Sequence, residues 1–285
     1  MTKKHLTSFF LSALLVASGP ASAFSTVGLL AAGLAAAAVH KVTHARANHP
    51  ADGGPAYVSE AIGSGSNDFS ACKQHFPQGR AVNPGLSDTR QVCFDEFAVL
   101  HSASTKSPVF VAERLNAVKL HSAMSEKRTN VFYEEARLPS SYRARLADFS
   151  RSGYDRGHMA PAGDMPNAQA MAQSFSLANM IPQNPENNRG VWADIEKATR
   201  QFAKRSSGNV YVFTGPHYEG SVAHIGTSHI PVPSHIWKVV YDESGHRAWA
   251  YWLPNTSTAS IKRITYQEYR ALGGMDVLRG VPIGG

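Results

Sequence analysis

Arg156, Gly157 and His158 are consecutive in the chain, inside the run Ser152–Met165. A guanidinium matches phosphate with two parallel donors and stays charged at any working pH. An imidazole titrates near pH ~6.5 and accepts a proton from water. Side by side, the two types suit phosphodiester cleavage, one to grip phosphate and the other to deprotonate water. The glycine between them permits positive φ or close approach of the backbone to a ligand.

The elements that must position these groups are legible from periodicity. Residues 189–204 carry Val191, Ile195, Ala198 and Phe202 at helical spacing, predicting a helix with that face inward and Trp192 as packing. Measured from Asn188 around such a helix, Thr199, Glu196 and Arg200 lie at about 20°, 80° and 120°, with Asn188 and Glu196 about 12 Å apart along the axis. Asn188 also suits the helix N-cap. Apolar runs at 94–100 and 108–112 flank Ser102–Ser107 as a hairpin, and runs at 236–241 and 248–253 flank Asp242–Gly245 as another. Val210–Phe213 reads as a strand stopped by Gly215-Pro216, and Tyr266–Leu272 as a helix ended by Gly273-Gly274. These elements predict an α+β domain, a largely antiparallel sheet with helices packed on it.

Asp155-Arg156-Gly157-His158-Met159-Ala160-Pro161 resembles the DRGH signature of the sugar-nonspecific DNA/RNA endonucleases, a ββα-metal (His-Me finger) nuclease family. Ser176–Gln183 is similar to that family's LSN…PQ segment, and Asn188–Glu196 to its N..(A/V)W..(L/I)E helix. The resemblance implies one Mg²⁺, with Mn²⁺ as a substitute, resting on Asn188 and keeping most of its waters. That agrees with the reluctance of Mg²⁺ to dehydrate. It implies His158 as general base, Arg156 against the developing charge, Arg200 on a neighbouring phosphate and Asn179 orienting the histidine segment. Glu196 would hold a metal-bound water. Cleavage of both DNA and RNA through phosphate contacts, with 5′-phosphate products and no small-molecule cofactor, follows from the same resemblance. Asp155 is left between orienting a neighbour and forming a simple turn or ion pair.

Residues 1–23 have the pattern of an export signal: Lys3 and Lys4, an apolar run, then Ala21-Ser22-Ala23. A secreted or periplasmic protein is expected, with membrane contact only if this leader is retained. A second apolar run, Val27–Val39, is shorter than the ~20 residues of a spanning helix. Residues 24–67 read as a flexible leader that includes a short element at 58–62, and residues 68–285 as the endonuclease domain. The two cysteines, Cys72 and Cys93, read first as a disulfide in an exported chain. The formal charge of +7, which falls to +5 without Lys3 and Lys4, suits polyanion binding that ignores sequence. Two other readings carry tests: a nucleic-acid-binding protein of the same fold without turnover, and a zinc hydrolase using His217, His224, His229 and His235. Those histidines lack HExxH spacing and read as mostly surface residues. The oligomeric state is left open.

Overall fold

The computed structural model describes residues 69–284, all within the unit Asp52–Gly285. The expected export signal, the leader and its element at 58–62 lie outside the described residues. Elements run in the order β1 (Thr89–Cys93), β2 (Phe97–Ser102), β3 (Ser107–Leu115), α1 (Ala117–Ser122), α2 (Leu146–Phe149), β4 (Asp155–His158) and α3 (Ala168–Ser174). There follow β5 (Met180–Gln183), α4 (Pro185–Arg189), α5 (Val191–Arg205), β6 (Val210–His217), β7 (His224–Ile225) and β8 (Ile230–Pro231). The chain closes with β9 (His235–Asp242), β10 (Arg247–Pro254), β11 (Arg263–Thr265) and α6 (Tyr266–Ala271).

Seven strands form one sheet in the order β1-β2-β3-β6-β9-β10-β11, with every pairing antiparallel. Both faces are covered, which is why its inner strands read as continuous apolar runs rather than alternating ones. Alternate residues feed two cores. Val99, Val111, Leu115, Val212 and Val240 pack with Trp192 and Ile195 of α5. Leu100, Phe110, Phe213, Val239 and Tyr241 pack with Phe69, Phe76 and Tyr269. A disulfide joins Cys72 to Cys93 and ties the N-terminal segment of the second core to edge strand β1.

Three expectations change. Strand β6 does not stop at Gly215-Pro216 but runs to His217. Its pairing with β3 ends at Thr214 while that with β9 continues to His217, so Pro216 lies where one edge is already free and its missing N–H costs little. The helix over 189–204 is instead two helices broken at Gly190 (φ −107°, ψ −106°), where a Cβ would meet the Glu186 carbonyl at 2.7 Å. The inward face of α5 is Trp192, Ile195, Thr199 and Ala203, leaving Ala198 exposed. Burying the Trp192 ring turns the helix by one residue. Thr199 tolerates burial because its hydroxyl donates to the Ile195 carbonyl at 2.8 Å.

Candidate active site

Strands β4 and β5 form a separate two-stranded antiparallel ribbon, pairing Asp155 with Gln183 and His158 with Met180. Helix α4 follows directly, so the DRGH strand, its partner and the helix bearing Asn188 are consecutive parts of one unit. Gly157 does not adopt positive φ; its role is room. A Cβ there would collide with the Gln183 side chain, whose amide donates to Asn187 Oδ1 at 2.9 Å. Gln183 thus links the ribbon to α4.

His158 is buried between two rings, edge-to-face on Phe175 at 5.0 Å and tilted on Phe132 at 5.9 Å. Its Nε2 finds no hydrogen-bond partner among the described residues. Burial, aided by the Arg128 charge, lowers its pKa to about 3, so the ring is neutral at physiological pH with a lone pair available. The same rings carry cations: Arg156 lies 4.2 Å over Phe132 and Arg128 5.0 Å over Phe175. Two guanidinium groups therefore flank the imidazole.

Asn179 secures the chain just past His158. Its Oδ1 accepts from Ala160 N at 2.8 Å, while its Nδ2 donates to the Ala160 and Ser174 carbonyls at 2.9 Å each. Asn188 sits in the last turn of α4, whose N-cap is Asn184; it is not the cap of α5. Its Nδ2 donates to Asp155 Oδ2 at 2.9 Å, and Arg189 clamps the same carboxylate from the solvent side. With the amide nitrogen so occupied, Asn188 Oδ1 is the atom left to accept. A hard oxygen donor of this kind fits a divalent cation such as Mg²⁺.

Glu196 lies on α5, beyond the Gly190 break. Burial raises its carboxyl to about 7; Lys238, Arg200 and Arg128 oppose the rise and Asp164 adds to it. Arg200 is paired with Asp164 and packs over Gly163, in the turn that follows β4. Burial works against its charge, but the Asp164 pairing outweighs this and holds the guanidinium protonated. Arg200 therefore braces the segment after His158 through Asp164.

Sequence reasoning missed Arg128, which sits in a stretch, Glu126-Lys127-Arg128, that looks like any solvated charge run. It also missed Glu113 and Lys238. For Lys238 a signal existed, a lone charge inside an apolar strand, Trp237-Lys238-Val239, whereas Glu113 is followed by Arg114 and reads as the charged end of its strand. Of the four histidines of the rival cluster, His217 and His235 pair across β6 and β9 beside Trp252, while His224 and His229 are exposed elsewhere. Among the described residues no three His, Cys, Asp or Glu side chains form a group able to hold a metal ion.

Residues 78–282 match the family model described as DNA/RNA non-specific endonuclease. The chain belongs to this family. Relatives of the chain include the mitochondrial nuclease EXOG of Danio rerio, 35% identical over 47% of this chain and 42% of that protein. Nuclease C1 of Cunninghamella echinulata is 36% identical over 55% of this chain and 67% of its own length. A mitochondrial nuclease of Saccharomyces cerevisiae is 33% identical over 53% and 50%. The chain thus matches less than half the length of the zebrafish relative. A crystal structure of the EndoG/EndoGI complex has a TM-score of 0.57 at 28% identity, covering 68% of this chain and 87% of the other. The secreted or periplasmic destination expected from the leader does not stand, because the zebrafish and yeast relatives are named as mitochondrial.

Proposed function

We propose that residues 68–285 form the catalytic domain of a metal-dependent endonuclease, which hydrolyses the phosphodiester bonds of DNA and RNA without reading their sequence. The observation that carries this reading is the buried, neutral His158, its Nε2 unpartnered among the described residues and flanked by Arg128 and Arg156. Nε2 accepts the proton of a water that attacks the phosphorus in line with the departing 3′ oxygen, leaving a 5′-phosphate. Arg156 and Arg128 oppose the charge that grows on the non-bridging oxygens. A divalent cation on Asn188 Oδ1, Mg²⁺ or Mn²⁺, would supply positive charge at the phosphate and the leaving oxygen. Asp155 keeps the Asn188 amide turned for that task, Asn179 fixes the backbone beside the base, and Glu196 orients water. Arg200 acts through Asp164 on the same segment.

Digestion of plasmid DNA and RNA with Mg²⁺, with chelator, and with His158→Ala tests the reading. Cleavage that needs the metal and is lost in the variant, with DNA binding retained, is the expected result. Unchanged cleavage in His158→Ala rejects that residue as the base. Binding without turnover in the wild type would favour a non-catalytic member of the fold.

A further inference from the structure

Two strands beneath α5 carry charges where a sheet core ordinarily carries apolar side chains. On β3, Glu113 lies on the same face as Val111 and Leu115; on β9, Lys238 lies on the face of Ile236 and Val240. Glu113 is 2% exposed and Lys238 1%. The ammonium donates to Thr214 Oγ1 on the intervening β6 at 2.7 Å and lies 5.3 Å from the Trp192 ring of α5. Glu113 Oε2 has no hydrogen-bond partner among the described residues.

The charges around this pocket do not balance. Asp164 is matched by Arg200, and Lys119 is tied to Glu96 and to the Glu96 and Arg114 carbonyls. Exposed Arg128 adds its charge in favour of ionised Glu196. Lys238, whose ammonium bonds Thr214, is then the buried cation whose charge acts on both Glu113 and Glu196. Two ionised carboxylates against one ammonium would leave a surplus negative charge in a poorly solvated interior, and keeping one proton removes it. Glu113 is the better place for that proton. Burial and Asp164 push its carboxyl up, with Lys238 and Lys119 opposing and Glu196 adding, whereas Glu196 also faces Arg200 and Arg128.

We infer that Glu113 is kept as a neutral acid beneath α5, and that Glu113 and Lys238 are positioning residues that tilt Glu196 toward its ionised form for the nuclease reaction. The inference rests on the role proposed above for Glu196 and acts through it. With Glu113 neutral, the Lys238 charge is left to Glu196 alone.

Isotope-edited infrared spectroscopy of the full chain at pH 7 reads the proton without metal or substrate. A buried protonated-carboxyl band that disappears in Glu113→Gln is expected. A band missing from the wild type, or unchanged in this near-isosteric variant, overturns the inference. Lys238→Met tests the coupling: the acid limb of kcat should move to higher pH by about one unit or more, and Lys238→Arg should bring it back. An acid limb that stays in place overturns the coupling. Glu196→Gln separates the two failures. Full activity in that variant removes the proposed role of Glu196 and the coupling with it, while the infrared band still decides where the proton resides.

Discussion

His158 is neutral because it is buried, and the same burial makes folding sensitive to pH. Its folded pKa, about 3, lies below the ordinary 6.5, so the unfolded chain binds more protons between those values. This residue's contribution to stability is therefore present above pH 6.5 and lost as pH falls toward 3. Thermal melts of His158→Gln should show a shallower fall in Tm over that acid range than the wild type; parallel curves would mean the ring is not held neutral. Gly157 offers a second test at this scale. Gly157→Ala forces Gln183 aside, at a cost of about 1–3 kcal/mol. Gln183→Ala in the same chain should recover part of the loss, a coupling of about 0.5–3 kcal/mol in denaturant melts; additive losses would contradict the close approach.

At the scale of elements, the β4–β5 ribbon and α4 act as a frame whose joints are Asp155 with Asn188 and Gln183 with Asn187. Asp155→Ala frees the Asn188 amide to rotate, so Mg²⁺ affinity measured by calorimetry should fall about 10–100-fold, the usual effect of losing an outer partner of a ligand. Arg189→Ala should change it far less, since that arginine is largely exposed and exposed ion pairs contribute little. Equal losses in the two variants would place the control in the ion pair instead. Much of this frame was legible in the sequence, because Asp155–His158 and Asn188–Glu196 keep chemical residues at fixed spacing. The register of α5 was not. Val191 and Trp192 are both apolar, and only the packing of the larger ring against the sheet decides between faces one residue apart. The Gly190 break was hidden for a similar reason, since a glycine amid helix formers reads as tolerated until the Glu186 carbonyl is seen against it. Arg128 comes from a stretch outside any helix or strand and far from the motif, so spacing along the chain carried no trace of it.

Taken as a whole, the chain carries a formal charge of +7. A net positive charge of this kind attracts a polyanion. Attraction of that kind reads phosphates and ignores base edges, so affinity should fall log-linearly with salt and differ little between unrelated sequences. Fluorescence titrations of a catalytically silenced His158→Ala chain with duplexes of different sequence provide the measurement. Adding Arg156→Ala should reduce the salt slope by about one phosphate contact, with the loss uniform across sequences. A loss confined to one sequence would mean that Arg156 reads a base, and the non-specific reading would fail there. If the slope instead stays unchanged, Arg156 is held by Phe132 alone and Arg128 carries the phosphate contact.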